Sequence, residues 1–185
     1  AKITGVDDDV LRKMMPPELI AAHRHRALSP EHPMLRGSSQ NPDVFFQNRE
    51  ASNTFYLNTP GIVKSVMDDF ATLTGRQYRP FEWVGHPEAE RLVILMGSAA
   101  GAVEETIDYL NLDGGKTACL KVRLYRPFSA ADLVNAIPSS VKSIAVLDRT
   151  KEPGSIGEPL YQDVVTALAE HRRVVQPAVI GGRYG

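Results

Sequence analysis

From about residue 78 the sequence alternates short apolar runs with helix-spaced apolar residues, and that alternation constrains the fold more than any other feature. Leu92-Val93-Ile94-Leu95-Met96 has the length and content of a buried strand. Val103, Ile107 and Leu110 then recur at helical spacing. Residues 118–124 read as a strand. Ser129 with Asp132 resembles a helix-start pair, with the acid in the first turn where the helix dipole favours it. Ile144-Ala145-Val146-Leu147 is a further strand. Leu160, Val164, Val165 and Leu168 mark a helix with Pro159 near its start, and Ala178-Val179-Ile180 closes as a strand. Phe81-Glu82-Trp83-Val84 offers one more strand at the beginning. Strands alternating with helices need crossover connections and hence a mostly parallel sheet. Near-continuous apolar strands imply helices on both faces. The expected fold is therefore α/β: a mostly parallel open sheet flanked by helices, over residues 78–185.

Residues 1–77 are of a different kind, polar, irregular and partly helical. One helix is expected over residues 8–15, ahead of Pro16-Pro17, and a second around Leu19-Ile20-Ala21-Ala22. Residues 28–53, with Pro30, Pro33, Gly37 and Pro42, read as a long loop. A structureless loop of that length is unusual inside a compact domain, so it is expected to wrap a surface outside this chain or to carry function. A helix follows, with Thr59 as cap, Pro60 at the first position, an apolar stripe of Ile62, Val63, Val66, Met67, Phe70 and Leu73, and Gly75 as terminator. Arg36-Gly37-Ser38-Ser39-Gln40-Asn41-Pro42-Asp43 and Phe45-Phe46-Gln47-Asn48-Arg49-Glu50 are dense in hydrogen-bonding groups. Polar groups that become buried need partners, so these segments are expected to pack against another domain or subunit. A substrate site is the sharper alternative.

Composition excludes several functions. A net charge of −1 and a pI near 6.6 argue against nucleic-acid binding, which needs a basic footprint. They leave open a small anionic ligand held by local cations. The single cysteine, Cys119, rules out a disulfide within the chain. It also falls short of the roughly four thiolates that an iron–sulfur cluster needs. In the run Ala118-Cys119-Leu120 it is expected to be a small core residue, and the composition fits a reducing cytoplasm. No stretch reaches the roughly 18 apolar residues of a membrane span. The start lacks the basic-then-apolar run of a signal peptide. Residues 1–6 and 181–185 both read as the interior of something longer.

Ligands of open α/β sheets bind beyond the carboxyl ends of the strands, where the expected fold places certain segments. Gly97-Ser98-Ala99-Ala100-Gly101 enters a helix, and its small residues would let a phosphate approach the helix N-terminus. It matches neither a dinucleotide nor a Walker pattern, Glu104 and Glu105 would repel an anion, and a plain tight turn is the main expectation. Asp148-Arg149-Thr150-Lys151-Glu152-Pro153-Gly154 offers Arg149 and Lys151 for an anion or interdomain contact, against a solvated loop. Arg123-Leu124-Tyr125-Arg126-Pro127-Phe128 offers Arg123 and Arg126 beside aromatics as a docking surface, against a hydrophobic staple at a helix start. The histidines 23, 25, 32, 86 and 171 are scattered without metal-ligand spacing, and no nucleophile motif of the G-x-S-x-G kind is present.

Several blocks resemble pyruvate:ferredoxin (flavodoxin) oxidoreductases. They include Leu28-Ser29-Pro30-Glu31-His32-Pro33, Arg36-Gly37, Gln40-Asn41-Pro42-Asp43, Phe46-Gln47-Asn48-Arg49-Glu50-Ala51 and Leu73-Thr74-Gly75-Arg76. Further along are Lys121-Val122-Arg123-Leu124-Tyr125-Arg126-Pro127-Phe128, residues 144–154, Gly157-Glu158-Pro159-Leu160-Tyr161 and Gly181-Gly182-Arg183-Tyr184. The resemblance runs in order over residues 19–185. It implies an enzyme that cleaves pyruvate oxidatively with coenzyme A to acetyl-CoA and carbon dioxide. Thiamine pyrophosphate with magnesium would form the carbanion, and iron–sulfur clusters would pass single electrons to ferredoxin or flavodoxin. Residues 1–77 would then be the end of the first, thiamine-diphosphate-type domain with a linker helix. Residues 78–185 would be a second domain similar to the C-terminal domain of transketolase, supporting the first domain and a homodimer in the cytoplasm. The resemblance carries no catalytic, cofactor-binding or metal-binding residue onto this chain, and it implies that the chain alone is inactive. A related pyruvate:NADP oxidoreductase or sulfite reductase flavoprotein remains an alternative. So does a free-standing α/β module that binds an anionic ligand such as coenzyme A.

Overall fold

The computed structural model describes residues 3–171 and 176–185. Ala1 and Lys2, within the opening run read above as chain interior, lie outside the described residues. The chain divides into two compact units, Ala1–Tyr78 and Arg79–Gly185.

The first unit is helical: α1 (Asp8–Met14), α2 (Pro17–His25), α3 (Pro42–Ala51) and α4 (Asn53–Thr74). Helix α1 carries Asp8 and Asp9 in its first turn and Arg12 and Lys13 in its last, matching the helix dipole at both ends. Arg12 also pairs with Asp9 at 2.8 Å. Gly75 ends α4 at φ 72, and its N–H returns to the Ala71 carbonyl at 2.7 Å.

Two expectations are corrected in this unit. The presumed loop over residues 28–53 contains α3. Pro42 opens that helix at a position where its missing N–H costs nothing, and Asp43 stands in the first turn. Helix α4 starts at Asn53 rather than Pro60, so Pro60 is internal and Thr59 is no cap. The Thr59 hydroxyl instead donates back to the Phe55 carbonyl at 2.8 Å. Proline removes one backbone bond, and a helix of 22 residues has enough others to continue through it. No described side chain of this unit is buried. Phe45, Phe46, Phe55, Tyr56, Leu57 and Ile62 are all exposed.

The second unit is built on strands β1 (Phe81–Gly85), β2 (Arg91–Leu95), β3 (Thr117–Val122), β4 (Ser143–Asp148) and β5 (Ala178–Arg183). Helices α5 (Ala100–Leu112), α6 (Ala130–Ala136) and α7 (Pro159–Glu170) connect the last four strands. The strands form one five-stranded sheet in the order β1-β3-β2-β4-β5. Strands β3, β2, β4 and β5 run parallel, and β1 pairs antiparallel with β3 from Phe81↔Val122 to Gly85↔Ala118. The mostly parallel open sheet is the fold expected from the sequence.

Alternation along the strands sorts the core into two faces. On one, Leu92, Ile94, Ala118, Leu120, Ile144 and Val146 meet Leu133 of α6 and Leu160, Val164 and Leu168 of α7. On the other, Leu95 and Cys119 meet Ile107 of α5, with Val93 and Leu147 beside them. Cys119 is the core residue the sequence anticipated, and burial raises its thiol pKa to about 11. Asn111 seals the α5–β3 connection: its side-chain oxygen accepts from the Thr117 N–H and hydroxyl, and its amide donates to the Thr117 carbonyl.

Candidate functional site

From β2 the chain moves one way to β3, then crosses back to β4 and β5. The carboxyl ends of β2 and β4 therefore flank the position where the connections diverge, which is the usual ligand position in open sheets. Gly97, at φ 85, turns the chain from β2 into α5, and the Ala100 N–H bonds to the Gly97 carbonyl at 3.2 Å.

The protein's own groups span this crevice. The Arg149 guanidinium, after β4, donates to the Ser98 hydroxyl, after β2, at 2.9 Å. The Tyr184 hydroxyl, after β5, donates to the Met96 carbonyl at 2.7 Å, and the Tyr184 N–H donates to the Asp148 carbonyl at 3.0 Å. Gly185 lies against the Arg149 side chain.

The β4–α7 connection is equally self-satisfied. Asp148 is 1% exposed, and its carboxylate accepts from the Leu160 N–H at 2.9 Å and the Tyr161 N–H at 3.1 Å. The first free amides of α7 are thus taken by an internal anion. Glu158 is 6% exposed; it accepts from Arg183 and from the Glu152 N–H, each at 2.7 Å. Those bonds tie the loop, α7 and β5 together. The hydrogen bond from Arg183 is the main cause that holds the Glu158 carboxyl below the usual carboxylate range. Gly157, Gly181 and Gly182 line a nearby cavity of about 240 Å³, with Gly157 and Gly181 set against the Tyr161 ring.

On the α5 face, Lys121 is 9% exposed and ion-paired with Glu82 at 2.5 Å and with Glu104. Arg123 joins Glu82 at 2.5 Å. Burial alone would raise the Glu82 pKa, but Arg123 and Lys121 outweigh it and the carboxyl stays below its ordinary value. Burial likewise opposes the Lys121 charge, and Glu104 and Glu82 outweigh it, so its pKa rises. This cluster borders a cavity of about 450 Å³ lined by Gly97, Ala100, Gly101, Glu104, Lys121 and Arg123. With both cations matched by acids, the cluster carries no net charge to attract an anion.

Of the cations named from sequence, the structure thus brings Arg149 to the crevice and commits Arg123 to Glu82. Arg126 lies over the Tyr125 ring, 4.0 Å from its centroid, and pairs with Asp163 at 2.8 Å. Lys151 is exposed on the β4–α7 loop. The Ser129 hydroxyl accepts from the Asp132 N–H at 3.3 Å, and Phe128 packs edge-on against Phe81, so this segment turns its aromatic ring into the core. Sequence reasoning missed Lys121, Glu158, Arg183 and the Tyr184 hydroxyl. Only a charged residue within an apolar strand run, such as Lys121, gave a signal to follow.

Among the described residues no group of three or more His, Cys, Asp or Glu side chains is placed to hold a metal. The one thiol is buried and far short of a cluster's donor set. No helix among the described residues is long and apolar enough to cross a membrane.

Sheet order, antiparallel edge strand and flanking helices define an open α/β domain whose carboxyl edge is bridged by its own side chains. The family model for pyruvate:ferredoxin oxidoreductase core domain II matches residues 89–185, and the chain belongs to that family. It is 56% identical over 184 residues to a putative pyruvate-flavodoxin oxidoreductase of Synechocystis sp., covering 100% of this chain and 15% of the relative. A pyruvate:ferredoxin oxidoreductase of Moorella thermoacetica is 54% identical over 184 residues, covering 100% of this chain and 16% of the relative. The chain therefore spans about a sixth of the length of these relatives. A solved 2-oxoglutarate:ferredoxin oxidoreductase from Magnetococcus marinus, with 2-oxoglutarate, coenzyme A and succinyl-CoA bound, aligns at a TM-score of 0.42 and 20% identity. That alignment covers 69% of this chain and 20% of that one, and the likeness is too distant to carry an argument.

Proposed function

We propose that this chain is an internal, interdomain part of an enzyme that oxidatively decarboxylates pyruvate with coenzyme A to acetyl-CoA. Electrons pass to ferredoxin or flavodoxin, the acceptors in the relatives' names. The observation that carries the structural role is the first unit, in which no described side chain is buried. A helical unit with exposed Phe45, Phe46, Phe55 and Leu57 has no core of its own and gains one by packing on further protein.

In this reading Ala1–Tyr78 completes a preceding thiamine-diphosphate-type domain, and Arg79–Gly185 is the scaffold domain that follows. Thiamine pyrophosphate, magnesium, iron–sulfur clusters and the coenzyme A contacts belong to the rest of a cytoplasmic homodimer. Arg149 and Lys151 are the cations best placed for contact with it, because Glu82 and Asp163 engage Arg123 and Arg126.

The test is the size and activity of the natural gene product. A product several-fold heavier than 20.3 kDa, reducing a viologen dye only with pyruvate and coenzyme A together, is expected. The 185-residue chain alone should give no reduction. A product of about this chain's own mass, with no longer form, would overturn the reading.

A further inference from the structure

The two faces of the sheet are covered unequally. Under α6 and α7, burial extends across the sheet: Leu120, Val146 and Ile144 are 0–1% exposed, and Val179 of β5 is half-buried. On the other face α5 packs on β3 and β1, and Cys119 and Leu95 are fully buried there. Moving outward, Val93, Ala145 and Leu147 are only half-buried. Ile180, paired in register with Ala145 at the outer strand, is 66% exposed.

We propose that this open half-face, over β4 and β5, seats one amphipathic helix from the part of the polypeptide outside these 185 residues. The inference rests on the reading that the chain is part of a longer protein.

Parallel strands occur almost only in sheets covered on both faces. The strip is two strands wide, about 10 Å at roughly 4.8 Å per strand, which is the diameter of one α-helix. Its lining of Ala145, Leu147 and Ile180, with Gly182 beside Leu147, suits an apolar stripe at i, i+3/i+4 and i+7. A second copy of the chain is a poor occupant. A stable dimer needs on the order of 20 residues from each side, and this strip is far narrower. A helix on the same polypeptide needs no such area, because tethering raises its effective concentration. The relatives, matched across this whole chain over only 15–16% of their length, have ample sequence to supply it.

The test is to place the photoreactive residue p-benzoylphenylalanine at Ile180 in the full-length gene product, irradiate, and map the cross-linked peptides. A link to a helix-patterned segment outside the 185 residues is expected. A link to β5 of a second copy, a link confined to this chain, or no link in a folded product overturns the proposal. Ile180→Asp in the same product should lower its denaturation midpoint, whereas an unchanged midpoint overturns it too. A gene product no longer than this chain would sink the underlying reading as well. A long product without the cross-link would sink only the seated helix.

Discussion

Asp148 and Glu158 show how single carboxylates organise the carboxyl edge. Asp148 accepts from two amides at the start of α7 while almost fully buried, so its removal strands donors in the interior. Asp148→Ala should cost about 2 kcal/mol or more, read as a lower urea midpoint of the chain, while Asp148→Asn, keeping one acceptor, should cost less. Glu158 and Glu82 are both held below the ordinary carboxylate value. Their unfolded forms therefore take up protons first on acidification. The stability they give is complete above roughly pH 4.5 and is lost as the pH falls through their folded values. A urea midpoint flat near neutrality and falling below about pH 4.5 is expected, with a shallower fall in Glu158→Gln. Lys121 sets the opposite limb. Its raised pKa gives stability that disappears as the pH climbs above the ordinary lysine range. These partners were invisible in the sequence because they lie far apart in it: Glu158 meets Arg183, and Lys121 meets Glu82, only after the strands pair.

At the level of elements, legibility followed burial. Strands β2, β3 and β4 were readable because their apolar runs are nearly continuous and alternate residues enter the core, and α7 because its buried Leu160, Val164 and Leu168 repeat at helical spacing. Helix α3 was not readable, because it buries nothing within this chain and its polar composition resembles a loop. The start of α4 was misplaced for a related reason. Thr59-Pro60 is a sound helix-start signal, and the turns ahead of it, from Asn53, carry exposed residues that give no periodic stripe. The same contrast yields a measurable difference. Limited proteolysis followed by mass spectrometry should cut first within Ala1–Tyr78 and leave a resistant core matching Arg79–Gly185. Equal resistance of both units would contradict it.

Across the whole molecule, the family and the general fold were readable from local blocks, whereas the crevice was not. Its bridges, Arg149 to Ser98 and Tyr184 to Met96, join residues 51 and 88 positions apart. The coreless first unit has a consequence for how the protein is made. Ribosomes deliver the N-terminal side first, at roughly 5–20 residues per second. The unit Arg79–Gly185 therefore takes on the order of 5–20 s to emerge after Tyr78. Throughout that interval Phe45, Phe46, Phe55 and Leu57 have no interior of their own to enter. On the proposed reading the domain they pack against precedes them and has already left the ribosome, so they can dock within that interval, whereas the 185 residues expressed alone lack that surface and should need holdase chaperones to stay in solution.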